Sequence, residues 1–160
     1  MKARNVLISC LFFLTFASGV AQGSFDIVGA RNDKSVIPFK LVNNMIVIEA
    51  SINGQELSFL VDTGIKKTIL FNVEVSDSLM LKNVKNVALR GLGEGSELSA
   101  ISSNGNLFRC QDIVNPGLSL FMITDNLFDL SAKMGIDIHG IIGGDLFDDF
   151  VVKILSLIHI

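Results

Sequence analysis

The stretch Gln55-Glu56-Leu57-Ser58-Phe59-Leu60-Val61-Asp62-Thr63-Gly64 decides how the rest of the chain is read. Asn53-Gly54 stands directly before it, and that dipeptide supplies the positive φ angles of a two-residue hairpin turn. Met45 to Ile52 and Gln55 to Val61 are therefore expected as paired strands. Leu57, Phe59 and Val61 share one face of the second strand, Ser58 and Leu60 the other. Towards its end the strand is apolar on both faces, which is the pattern of a strand inside a core. It delivers the carboxylate of Asp62 where the chain leaves that core.

Working outward, short runs rich in β-branched and aromatic residues continue from Val36 onward, divided by glycine and Asn-Gly punctuation. Thr68 to Phe71, Val84 to Leu89, Leu118 to Ile123 and Ile138 to Ile142 read as further strands. Glu97 to Ile101 is expected to pair with Leu107 to Ile113 around Asn104-Gly105 as another hairpin. Val73 to Leu81 fits helix or loop, and Asn126 to Met134 fits a short helix. Asp145 to Phe150 suits a helical turn with acidic residues near its positive end. The fold class that follows is mainly β with one or two short helices.

The chain has 160 residues, 49% of them apolar and 18% charged, enough for one domain with a core and too apolar for disorder. Its first 21 residues read as a cleaved signal peptide. Lys2 and Arg4 form the positive region, Val6 to Phe16 the apolar region, and Gly19-Val20-Ala21 the small-residue site before Gln22. The apolar run is shorter than the roughly 20 residues a spanning helix needs. No stable membrane span is therefore expected after cleavage, and the protein is expected to be exported to a periplasm, cell envelope or exterior.

Loss of Lys2 and Arg4 takes the net charge from −3 to about −5. An acidic chain without a Lys/Arg cluster has no electrostatic footprint for a phosphate backbone, so nucleic acid is not an expected partner. Cys110 becomes the single cysteine, which excludes an intrachain disulfide. Its place in a strand-like run points to an inert, half-buried thiol. Residues 22–37 read as an N-terminal extension preceding the core, and residues 38–154 as the folded lobe. Residues 155–160, Leu155-Ser-Leu-Ile-His-Ile160, resemble a translated sequencing adapter, so the natural protein is expected to continue beyond Ile154.

Asp-Thr-Gly alone recurs by chance in roughly a few per cent of chains this long, so its surroundings carry the reading. It closes an apolar strand, it is followed by the apolar run Thr68-Ile69-Leu70-Phe71, and Gly140-Ile141-Ile142-Gly143 supplies a later apolar-apolar-Gly element. This arrangement resembles the retropepsin-like aspartic proteases, in particular bacterial exported members often followed by further domains, from about Pro38 to Ile154. The resemblance implies a closed β-barrel lobe of the acid protease type. It implies that Asp62 is the catalytic carboxylate, that Thr63 locks two such loops together and that Gly64 lets the backbone turn closely. Ile141, Ile142 and Gly143 would pack beneath that loop, and Gly91, Gly93 and Gly95 fall where the family carries its flap. No cofactor or metal is implied, and the partners are a polypeptide substrate and a source of a second aspartate.

That second aspartate is required because metal-free amide hydrolysis of this kind uses two carboxylates about 3 Å apart sharing one proton. The sequence has a single Asp-Thr-Gly and no Asp-Ser-Gly. The partner must come from a homodimer mate or from a second lobe beyond Ile154. Three other readings stay open. Asp62 can be a turn residue capping backbone amides, the lobe can be an inactive envelope binding or dimerisation domain, and Gly91 to Gly95 can be a dinucleotide loop, against which the extended look of Ser96 to Ile101 counts. Asp145, Asp148 and Asp149 lack the alternating oxygen ligands of a calcium loop and read as a solvated helix end. His139 has no partner at metal-ligand spacing and reads as a hydrogen-bonded or exposed side chain.

Overall fold

A computed structural model describes residues 23–29, 33–71, 79–89, 98–124 and 130–155. Among these residues, nine strands and two short helices follow in the order β1 Asp26–Ile27, β2 Phe39–Val42, β3 Met45–Ile52, β4 Gln55–Val61, β5 Thr68–Phe71, β6 Lys85–Leu89, β7 Leu98–Cys110, β8 Ile113–Ile123, α1 Leu130–Met134, β9 Gly140–Ile142 and α2 Asp145–Asp148.

The β3–β4 hairpin turns at Asn53-Gly54 with φ values of 52° and 91°, the left-handed pair that a two-residue turn of this hand requires. A further hairpin joins β2 to β3 through Asn43 and Asn44, both also at positive φ. Asparagine tolerates that region because its side chain can hydrogen-bond its own backbone. From β4 the pairing runs parallel to β9, antiparallel to β5, and parallel from β5 to β8. β8 pairs β7, β7 pairs β3, and β3 returns to β4, so the path of strands closes on itself. Closure leaves no open edge along that path.

The hairpin expected at Asn104-Gly105 is not there. β7 runs straight through it, and its turn into β8 comes at Gln111-Asp112, with Gln111 at φ 52°. Gly105, at φ 82°, lies where the β7–β8 register shifts. A left-handed residue in a strand makes a bulge as readily as a turn, and what decides between them is tertiary. Asn106, beside it, is fully buried. Its amide donates to Ser103 Oγ at 2.8 Å and to the Leu118 carbonyl at 3.3 Å, while its oxygen accepts from Asn53 Nδ2 at 3.0 Å and Lys82 N at 3.1 Å. A residue with every polar group satisfied inside the core cannot sit at an exposed turn tip.

The main core gathers Ile52, Leu57, Phe59, Phe108, Leu118 and Ile142 among others. A smaller cluster of Val47, Leu60, Met134 and Ile138 lies apart from it. β4 thus buries Leu57 and Phe59 in one cluster and Leu60 in the other, as a strand apolar on both faces should. The segment read as an extension ahead of the core is in part a correction. Phe25 is buried and meets Phe108 edge-to-face at 5.4 Å, and β1 pairs β8 through Asp26 and Ile27. Burial of the Phe25 ring, the packing of Ile27 on the same core and the pairing with β8 together offset the ordering of this segment.

Candidate active site

β4 carries the chain to Asp62, and β9 fixes where it stops. The two strands pair in parallel, Val61 opposite Ile142, and the Asp62 amide donates to the Ile142 carbonyl at 3.1 Å. Past the strand the loop doubles back, held from below by the start of α2. The Gly144 amide donates to the Ile65 carbonyl at 2.6 Å and the Asp145 amide to the Lys66 carbonyl at 3.2 Å.

This contact is closer than most side chains permit. A Cβ placed on Gly143 would lie 2.6 Å from the Ile65 oxygen and 3.0 Å from Lys66 C and Lys67 N, all of them backbone atoms. A Cβ placed on Gly140 would be equally confined, against the Ile69 carbonyl oxygen. Glycine is needed at both positions for the approach of backbone to backbone. Ile142 is fully buried in the main core, and Ile141 packs against the smaller cluster. Of the three residues Ile141, Ile142 and Gly143, the structure sets Ile142 and Gly143 against the Asp62 loop, while Ile141 pairs with Leu60 and Ile69.

Asp62, Thr63 and Gly64 are all exposed. The Gly64 amide donates to Asp62 Oδ1 at 2.8 Å, so the carboxylate does cap its own loop, and the same bond orients it. A Cβ on Gly64 would stand 3.1 Å from that oxygen, which is tight for a side chain in this position. What results is a carboxylate at the surface, aimed by a short loop that is braced against the most buried part of the fold. Gly91, Gly93 and Gly95 lie outside the described residues, as do residues 72–78 of the segment left between helix and loop.

The other titratable groups divide differently from what the sequence suggests. Asp148 and Asp149 are exposed, and Asp149 Oδ2 accepts from the Phe25 amide at 2.8 Å. Asp145 is not a solvated helix end. Its Oδ1 is buried without a hydrogen-bond partner, and burial raises its pKa above the ordinary carboxylate range, with Lys67 opposing the shift. Nothing in the local sequence signals this, because the burial comes from the chain packed over it. His139 accepts from the Ser58 amide through Nδ1 at 3.0 Å, and its own amide donates to the Ser58 carbonyl at 2.9 Å. It is a bridge between the β4 and β9 segments. Cys110 is buried, and burial, helped by Glu56, pushes its thiol up to about 11. Among the described residues no three His, Cys, Asp or Glu side chains cluster as a metal would need.

Comparison with known proteins adds to this geometry. A family model described as aspartyl protease matches residues 48–146, more than half of the chain. Among solved structures, a retropepsin-like aspartic protease from Rickettsia conorii superposes with a TM-score of 0.54 at 15% identity, over 84% of this chain and 89% of that one. The EIAV protease bound to an inhibitor gives a TM-score of 0.45 at 15% identity, over 79% of this chain and 100% of that one. No curated protein sequence matches.

Proposed function

The chain belongs to the aspartyl protease family, and we propose that it hydrolyses peptide bonds at a site where Asp62 supplies one of two carboxylates. The observation that carries this reading is the exposed Asp62 carboxylate, oriented by the Gly64 amide in a loop seated on Gly143 and Gly144. Preorganised carboxylates on rigid elements are what a proton-transfer site needs.

The chemistry requires a pair. The ionised member takes a proton from water, whose oxygen attacks the peptide carbonyl carbon, while the protonated member gives its proton to the carbonyl oxygen. The tetrahedral intermediate collapses as the amide nitrogen gains a proton and the C–N bond breaks. Two carboxylates this close share one proton because both cannot ionise together. The second Asp62 loop comes from a second copy of the chain. Supporting this, one lobe accounts for 89% of the retropepsin-like chain it superposes on, and Val151 and Ile154 leave an apolar surface open for a second copy to cover. A further lobe following Ile154 would satisfy the same chemistry.

The test is peptide cleavage at acid pH by the full chain, with pepstatin and Asp62→Asn as controls. Cleavage that survives Asp62→Asn unchanged refutes the assignment, and peptide binding without any cleavage points to the noncatalytic binding module. Mixing wild-type and Asp62→Asn chains locates the second carboxylate. Activity falling as the square of the wild-type fraction means a dimer site, whereas a linear fall means that each chain completes its own. We also place the protein outside the cytoplasm, a reading supported by Lys2, Arg4 and the apolar run after them. An exported form whose first residue is not Gln22 or a close neighbour would count against it.

A further inference from the structure

Residues 23–28 run ahead of the other strands, and the lobe holds a fitted seat for them. Asn115, buried in β8, donates its side-chain amide to the Gly23 carbonyl at 2.9 Å, while its oxygen accepts from the Gly117 amide at 2.9 Å. A Cβ on Gly23 would stand 2.6 Å from Gly117 Cα and N and press on Asn115 Oδ1. Glycine is needed there for the approach. Phe25 then enters the core against Phe108, Asp26 and Ile27 pair with Val114 and Ile113, and the Val28 amide donates to the Asp112 carbonyl at 2.7 Å.

The same segment reaches α2. The Phe25 amide donates to Asp149 Oδ2 at 2.8 Å, and the Phe25 ring lies in the buried cluster that contains Leu146. Asp149 ends a helix of four residues, too short to hold its position by its own hydrogen bonds. From Val151 to Leu155 the chain is exposed. Among the described residues, the Phe25 amide makes the one hydrogen bond that ties the far end of α2 to another part of the chain. The near end carries the Gly144 and Asp145 amides that hold the Ile65 and Lys66 carbonyls just past Asp62. A surface cavity of about 330 Å³ lies along this seam, with Gly23, Phe25, Asn115, Lys67, Asp145 and Asp149 among its walls, so α2 has space to shift when its far end is released.

Resting on the proposed function, we infer that residues 23–28 are a strap that completes the active site, and that Asp149 is the positioning residue through which the strap holds α2 beneath the Asp62 loop. Asp149 meets no substrate in this role. It fixes one end of a short helix whose other end braces the loop that aims the carboxylate. The strap bonds to β8, to the turn before it and to α2, and not to Asp62, Thr63 or Gly64. It is therefore a working part of the lobe and not a leader that must leave before the site can act.

The experiment uses the full chain and reads two quantities, amide hydrogen exchange residue by residue and the kinetics of peptide cleavage. Asp149→Ala cuts the strap from α2, Gly23→Ala lifts the strap from β8 without touching α2, and Asp149→Asn keeps an oxygen that can accept. A hydrogen bond to a charged acceptor contributes about a factor of ten or more, so in the first two variants the Gly144 and Asp145 amides should exchange about ten-fold faster, while amides of the β3–β4 hairpin stay unchanged. In the same variants kcat should fall about ten-fold with KM little changed, and Asp149→Asn should match the wild type in both readouts. Exchange at Gly144 and Asp145 that does not respond, or that rises in step with the hairpin amides as general destabilisation would make it do, overturns the inference. So does faster exchange with kcat unaltered, or Asp149→Asn behaving as Asp149→Ala. Because exchange needs no substrate, a selective rise at Gly144 and Asp145 in a protein that cuts no peptide supports the strap and overturns the proposed function alone.

Discussion

Replacing Gly143 by alanine puts one methyl group between α2 and the loop that carries Asp62. The added Cβ would sit 2.6 Å from the Ile65 carbonyl oxygen, and an ordinary contact begins at 3.4 Å, so the two must part by 0.8 Å. The atoms in the way belong to backbone, and no side chain can rotate aside to make room. The same movement stretches the Gly144 to Ile65 bond of 2.6 Å and the Asp145 to Lys66 bond of 3.2 Å. Overpacking of this kind costs about 1–3 kcal/mol. In a lobe of this size, between the small and large domains for which the scaling is known, that is a fall in Tm of about 4 °C per kcal/mol. The loss of turnover should be larger in proportion, because a misplacement near 1 Å can reduce a rate by about 100-fold. Gly144→Ala is the matched control. Its Cβ would first meet anything at 3.4 Å, and its backbone, at φ −61° and ψ −22°, is one that alanine prefers. It should be neutral, or stabilising by about 0.4–1 kcal/mol. The assay is thermal unfolding followed by circular dichroism, together with kcat on a cleavable peptide. If Gly143→Ala matches Gly144→Ala in both, the close seat of the Asp62 loop on α2 is not what holds the site.

Two further predictions concern buried titratable groups. The Asp145 pKa is raised by burial, so its contribution to stability is complete below the ordinary aspartate value of 3.8 and is lost as pH rises through the raised one. Asp145→Asn should equal the wild type in acid and exceed it in Tm near pH 7, and parallel pH profiles would show that the carboxyl is not strained by its site. Cys110, pushed up to about 11 and buried, should resist iodoacetamide at pH 8 in the folded protein and react on unfolding in urea. Rapid modification of native protein would contradict its placement in the core.

What the sequence made legible was local. The Asn53-Gly54 turn, both strands beside it and the two-sided burial of β4 follow from turn chemistry and period-two patterning within one short window. The retropepsin-like fold was legible through the spacing of Asp62-Thr63-Gly64 and Ile141-Ile142-Gly143, a resemblance and not a derivation. Asn104-Gly105 shows where local signals fail. The same left-handed glycine serves a turn or a bulge, and only the burial of Asn106 against Asn53, Ser103 and Leu118 selects the bulge. Phe25 was missed for a related reason. Its partner Phe108 lies more than eighty residues away, and no window joins them.

The site follows the same division. That Asp62 ends a strand is visible in the sequence, but its direction depends on a backbone bond to Gly64 and on a parallel pairing with β9, which the chain reaches only after building β5 to β8. This order of assembly has a consequence for function. The Asp62 loop touches β9 and α2, the last strand and helix among the described residues, so the carboxylate is aimed only when those segments have packed against it. Folds that depend on contacts of such long sequence separation form slowly, because the loop-closure entropy is met before the contacts are made. An incompletely folded chain would then hold no oriented carboxylate, and peptide hydrolysis would be tied to completion of the fold.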